Sequence, residues 1–216
     1  RKNLNKVQVT RATKPGERMS IDITSPKPVS YAGNKHMLLA LDDYSDVAFS
    51  FFIRSKSDLS DVLIDFIIEL KDKYGIVVKI IRCDNAGENR KFEQNARHEG
   101  LALVFEYTAP NTPQQNGRCE RKIATVFGRM RAMLVMSPIK QPLRGRLWCE
   151  AANTATYLDR FLVDSDGTSK IEKFLGKGVK APKLKLAKSF GQLCVVTNHD
   201  KMKAKLADRG KICIFL

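Results

Sequence analysis

The sequence predicts an α/β domain in which a mixed sheet carries helices packed against it, with a small basic extension at the C-terminal end. Three patterns point there. Three short apolar runs bounded by turn residues come first, between residues 18 and 55. Helical and β-branched stretches then alternate up to residue 109, and a long helical pattern with one apolar stripe follows. No segment repeats along the 216 residues, enough for one sizeable domain and an appendage.

Residues 1–16 (RKNLNKVQVTRATKPG) are basic, aperiodic and end on Pro15-Gly16. They read as an extended arm that meets phosphate or stays mobile. RMSIDIT then alternates polar and apolar residues as a short strand does, and KHMLLALDDYS and VAFSFFIRS have the apolar runs of central strands. Turns at Gly33-Asn34 and at Asp42 to Asp46 make these an antiparallel meander. Ser57-Asp58 is placed to cap a helix over DLSDVLIDFIIELKDKYG, whose Leu59, Val62, Leu63, Phe66, Ile67 and Leu70 recur at three and four, with Gly75 closing it. VVKIIRC reads as a buried strand, ENRKFEQNARHEG as a weaker helix ending at Gly100, and LALVFEYTA as another strand.

The turn-rich PNTPQQNG (110–117), with two Pro, two Asn and one Gly, reads as a mobile loop before a helix from about Arg118 to Met136. The stripe of that helix is Ile123, Val126, Phe127, Met130, Met133 and Leu134. Pro138 and Pro142 end it, and LWCEAANTATYLDRFL makes a further helix. Beyond Val163 the chain is lysine-rich, and QLCVVT and KICIFL resemble strands of a small terminal β unit. The expected organisation is an arm over 1–16, a core over 17–163, and a basic linker with the start of a β unit over 164–216.

Charge narrows the partners. The 38 Lys and Arg against 23 Asp and Glu leave a formal +15, which favours a polyanion, most commonly nucleic acid. No stretch approaches the ~18 apolar residues of a membrane span. Cys83, Cys119, Cys149, Cys194 and Cys213 are odd in number and widely spaced, which suits neither a disulfide framework nor a structural zinc site and points to a reducing compartment. The first residues are polar and basic, unlike a secretory signal, and a start at Arg1 rather than Met suggests a segment of something longer.

Three carboxylates stand out. Asp22 lies between Ile21 and Ile23 in the first strand, where a buried carboxylate is costly unless paired or bound to a cation. Asp84 ends a β-branched strand, the edge at which α/β sheets place ligands. Taken singly, a solvent-facing strand residue and a turn explain these two. Glu120, in the first turns of the long helix, borders the apolar stripe at ~100° per residue and is expected to face the sheet. Three converging carboxylates would repel one another unless divalent cations neutralise them.

Asp84 and Glu120 are separated by 35 residues, and their flanks read RCDNAGEN and APNTPQQNGRCERK. With Asp22 this resembles the catalytic core of retroviral-type integrases, the DDE family, and specifically the copia-type retrotransposon integrases. LDDYS at 41–45, FFIRSKSD at 51–58, Leu147-Trp148-Cys149-Glu150-Ala151, KSFGQLCVV and KLADRGKICIFL extend the match over roughly residues 17–216. The chain departs from the pattern where Ala86 replaces the glycine after Asp-Asn, where Met19 stands for a tryptophan, and where no His-His-Cys-Cys module precedes the core.

The resemblance implies a ribonuclease H-like, five-stranded mixed sheet flanked by helices. It implies two Mg2+ ions, with Mn2+ able to substitute, held by the catalytic residues Asp22, Asp84 and Glu120. The implied reactions are 3′-end processing of retrotransposon cDNA and strand transfer into target DNA, both double-stranded. It further implies a homo-oligomer cut from a polyprotein and acting in the nucleus after a cytoplasmic particle stage. Gln115 and Asn116 are candidates for meeting DNA ends, although loop solubility and capping would explain them equally. Arg121, Lys122, Arg129 and Arg131 are placed to bind phosphate or to form a solvated helix face. Lys177 to Lys188 would track a DNA backbone or serve as a basic linker, and His36, His98 and His199 have no partner at ligand spacing. Two other readings stay open: a decayed or domesticated remnant that binds DNA without catalysis, and a plain nuclease of the ribonuclease H superfamily.

Overall fold

The computed structural model describes residues 11–108, 113–176, 178, 188–197 and 210–216, with side chains described from residue 117 onward in the helix that starts at 113. The meander is present as β1 (Arg18–Thr24), β2 (His36–Asp42) and β3 (Ala48–Ile53). Next come α1 (Leu59–Tyr74), β4 (Ile80–Cys83), α2 (Gly87–His98) and β5 (Val104–Tyr107). The sheet order is β3-β2-β1-β4-β5, antiparallel between β3, β2 and β1 and parallel between β1, β4 and β5. The mixed sheet is therefore as expected, with β1 at its centre.

The period-two alternation of a strand splits the core in two. Met19 and Ile21 of β1, with Leu38 and Ala40 of β2, face α1 and α2. Met37, Leu39 and Leu41 of β2 face the opposite layer, made by α3 (Pro113–Met136) and α5 (Trp148–Asp159). In α3 the stripe residues Ile123, Val126, Met130 and Leu134 are buried, joined by Cys119, while Phe127 and Met133 pack at its margin. The Trp148 indole N–H donates to the Pro28 carbonyl at 2.9 Å, which satisfies the one polar atom of a buried ring.

Local signals differ from expectation in four places. Asp58 is the N-cap residue of α1 as expected but makes no side-chain bond to that helix; the Ser57 N–H instead donates to Ser55 Oγ and the Asp58 carboxylate accepts from the Ser55 N–H, a capping box around a short 3-10 turn before α1. Helix α3 starts at Pro113 rather than near Arg118, so part of the expected loop is helical; a proline at the first helical position forfeits no hydrogen bond. A short helix α4 (Leu143–Arg146) follows Pro142. A further helix, α6 (Lys170–Leu175), lies beyond the expected boundary at 163, and its Ile171 and Phe174 are buried in the α1 core.

Within the arm, residues 11–16 are tied to the β2–β3 turn rather than extended and free. The Ala12 N–H donates to Asp43 Oδ2 at 2.8 Å and the Gly16 N–H to Asp42 Oδ1 at 2.9 Å. Residues 1–10 lie outside the described residues. At the far end, β6 (Leu193–Thr197) and β7 (Gly210–Ile214) form an antiparallel ribbon. It meets the rest through Phe190, against the α3–α5 core, and Gly191, whose positive φ of 80° and close approach to Ser137 leave no room for a side chain. No helix among the described residues is long and apolar enough to cross a membrane.

Candidate active site

Asp22 lies one residue beyond Ile21, which faces α1, so the pleat turns Asp22 to the α3 side. The parallel pairing of β1 with β4 runs Arg18 to Ile80, Met19 to Ile81 and Ser20 to Arg82. Carried two residues further, that register sets Asp84 alongside Asp22, just where β4 ends and the chain turns into α2. Burial raises the Asp22 carboxyl to about 6, against a hydrogen bond from the Ile23 N–H at 2.8 Å; the negative charges of Asp84 and Glu120 raise it further and Lys56 opposes them. The structure thus places Asp84 and Glu120 each within electrostatic reach of Asp22.

Asp84 is exposed, yet its Oδ1 is engaged. It accepts from the Ala86 N–H at 3.2 Å and from Asn89 Nδ2 at 2.6 Å, and the same Nδ2 reaches the Asp84 backbone carbonyl at 3.2 Å. Glu88, on the first turn of α2, pairs with Lys56 Nζ at 2.6 Å, and that bond holds the Glu88 carboxyl below its usual range. His36 hydrogen-bonds Ser25 through Nδ1 at 2.7 Å; burial and then Lys56 lower its pKa.

Glu120 is exposed, not turned onto the sheet as its place in the stripe suggested. The sheet-facing position belongs to Cys119, whose fully buried Sγ lies 3.7 Å from the Ser20 carbonyl. One residue earlier, Arg118 donates to the Asp43 backbone carbonyl at 3.1 Å and pairs with the carboxylates of Asp43 and Asp46. The second turn of α3 is therefore clamped between β1 and the β2–β3 turn, and Glu120 follows directly on that clamp.

The expected DNA-facing residues divide. Arg121 is exposed. Lys122 turns the other way and pairs with Asp159 of α5 at 2.8 Å, and Arg129 pairs with the other oxygen of the same carboxylate. Lys170 of α6 completes the group at 2.8 Å. Asp159 is 2% exposed at its side chain and Lys122 11%, so Lys122 is committed to an internal ion cluster, and Arg129 to its rim. Lys122 and Arg129 are seven apart, two helical turns, which puts them on one face; that was the available signal for a shared partner. Arg131 is exposed. The side chains of Gln115 and Asn116, residues 179–187 of the lysine tract and His199 lie outside the described residues. Asn89, Lys56 and Asp159 are the residues near or behind the site that sequence reasoning missed.

Three carboxylates are the donor chemistry of a hard cation, and Asp22 is kept from ionising easily by burial first and by the charges of Asp84 and Glu120 after it. Among the described residues no group of three His, Cys, Asp or Glu side chains is gathered closely enough to surround one ion. The carboxylates share a field rather than a closed cage.

A mixed β3-β2-β1-β4-β5 sheet with helices on both faces is the ribonuclease H-like fold, shared with retroviral integrase catalytic cores. The likeness extends to solved structures of that kind. The chain superposes on a chain of the simian T-cell lymphotropic virus intasome, solved in complex with PP2A regulatory subunit B56 gamma, with a TM-score of 0.60 at 14% identity, over 94% of this chain and 68% of that one. It superposes on the HTLV-2 integrase catalytic core in complex with magnesium, in its trimeric form, with a TM-score of 0.55 at 15% identity, over 76% of this chain and 99% of that one. In sequence it is 29% identical over 200 residues, 90% of its length, to the Pol polyprotein of transposon TNT 1-94 from Nicotiana tabacum. It is 23% identical over 207 residues, 95% of its length, to that of transposon RE2 from Arabidopsis thaliana. The chain resembles the integrase of copia-type Pol polyproteins, and it spans 14% of the length of these two relatives. No family model matches it.

Proposed function

We propose that this chain is the catalytic core of a retrotransposon DNA integrase that trims cDNA 3′ ends and joins them to target DNA. The observation that carries this reading is the parallel register of β1 and β4 in a ribonuclease H-like sheet, which sets Asp22 toward the β4 end that carries Asp84. Asp22, Asp84 and Glu120 would hold two Mg2+ ions, for which Mn2+ would substitute. Bound in pairs, such ions supply Lewis-acid activation of the attacking oxygen and stabilisation of the leaving one at phosphorus.

The protein's own part is to place and charge the site. Asp22 is fixed by the central strand and shielded enough to favour a cationic partner over water. Asp84 is held at the β4–α2 turn. Glu120 is carried at the solvent edge of α3, where Arg121 beside it would draw the phosphate backbone of a double-stranded DNA end. Gln115 and Asn116 precede it and would meet the same DNA. Self-association and a nuclear site of action belong to the same proposal.

The test is a disintegration assay with the full chain, Mg2+ or Mn2+, and a labelled branched oligonucleotide that mimics the joined product. Wild type is expected to reseal the target strand and release the end, and Glu120→Gln to do neither. Identical products from both would overturn the catalytic reading. DNA binding without joining would leave a DNA-binding remnant, and cutting of an RNA–DNA hybrid alone would leave a nuclease.

A further inference from the structure

We infer that Asn89 is a positioning residue for Asp84, one that fixes which carboxylate oxygen is left to meet a cation. The inference rests on reading Asp84 as a cation-holding carboxylate. Three observations on α2 carry it.

The first is the position. Asn89, Phe92 and Ala96 form the buried face of α2, and Asn89 is 4% exposed. Spacing of three and four marks this as an apolar stripe, so an amide stands where packing alone calls for a hydrocarbon. The second is the direction of its donor. Nδ2 bridges Asp84 Oδ1 at 2.6 Å and the Asp84 carbonyl at 3.2 Å, both acceptors. The opposite amide orientation would set oxygen against oxygen, so chemistry selects this one. The third is what the residue gives up: Asn89 Oδ1 is buried with no hydrogen-bond partner among the described residues. A half-satisfied amide in a core destabilises the fold relative to an apolar residue of similar size. Its donor is therefore the part in use.

With Ala86 N–H and Asn89 Nδ2 both on Oδ1, that oxygen is filled by the protein. Among the described residues no donor is recorded on Oδ2, and rotation about the side chain is blocked by the two bonds on its partner. Asn89 thus orients the carboxylate before any ion arrives, in the manner of the outer-layer hydrogen bonds that fix metal-ligating carboxylates.

The test compares full-length wild type with Asn89→Leu and, in case leucine overfills the site, Asn89→Ala. Free Mn2+ is read by electron paramagnetic resonance during titration, and urea unfolding is followed in EDTA. Asn89→Leu is expected to keep or raise the unfolding midpoint while Mn2+ half-saturation shifts by about tenfold. Joining activity should return toward the wild-type rate at saturating Mn2+. A folded variant with wild-type Mn2+ binding overturns the positioning role, as does a loss of stability with no shift in Mn2+ half-saturation. If wild type itself takes up no Mn2+, the reading of the site as a metal centre falls first and this inference falls with it, a result distinct from a variant-only failure.

Discussion

Asp22 and Asp159 are both aspartates set into packed parts of the molecule, and the fold drives them in opposite directions. Burial alone would raise either one. At Asp22 nothing reverses it: a single backbone N–H helps, but Asp84 and Glu120 add to the rise, and the carboxyl stands at about 6. At Asp159 the hydrogen bonds from Lys122, Lys170 and Arg129 outweigh burial and hold it at about 2. One carboxylate has been given its cations from within the chain. The other is shielded from water with two further carboxylates raising it and Lys56 opposing them.

The comparison can be broken at either end. The largest effect is expected from Asp159→Ala, which strands Lys122 and Lys170 in a mostly buried setting. Breaking a buried pair from one side removes about 3–5 kcal/mol, read as a lower urea midpoint. Glu120→Gln should lower joining by roughly 10²–10³-fold, the range seen when one electrostatic group of an active site is lost. Because Glu120 is exposed, its unfolding free energy should stay within about 0.5 kcal/mol of wild type.

A pH series in EDTA sharpens the contrast. Asp22 is raised from 3.8 to about 6, so its contribution to stability is full below pH 4 and is lost as pH climbs through 6. Asp159 is lowered from 3.8 to about 2, so its contribution is full above pH 4 and is lost as pH falls through 2. Asp22→Asn is therefore expected to flatten the decline in stability between pH 4 and 7 and to exceed wild type at pH 7. The smallest effect should come from Arg121→Ala. It leaves the fold unchanged, weakens DNA binding without regard to sequence, and reduces the slope of log K against log salt by about 0.9.

Much of this arrangement is legible in the chain before any coordinates. Strand alternation and helix stripes give the sheet and its two packed layers, because burial on one face forces the period. The 35-residue interval marks Asp84 and Glu120, whereas the parallel register of β1 with β4 that carries Asp22 toward Asp84 belongs to the fold and to no local pattern. What stays hidden is tertiary. Nothing local in ENRKF shows that Asn89 will bend its amide back to Asp84, and nothing in LDR shows that Asp159 will collect cations from α3 and α6. Other misses were local and readable. Ser169-x-x-Glu172 is a capping box that announces α6, and Pro113 suits the first position of a helix as well as a loop. The side of α3 on which Glu120 rides was settled by Cys119, the smaller residue, taking the place against the sheet.

Each of the two later carboxylates directly follows a cysteine, Cys83 before Asp84 and Cys119 before Glu120. Both thiols are fully buried. Burial, then the charges of Asp84 and Glu93, pushes Cys83 up to about 12, and burial with Asp22 and Glu120 keeps Cys119 well above an ordinary thiol. Sulfur binds soft ions as thiolate, and neither residue forms one at neutral pH while the fold is closed. Cys83 lies in the core under α1 and α2, and Cys119 in the core between the sheet and α3, so alkylating reagents and peroxides reach each thiol only after the helices covering it part from the sheet.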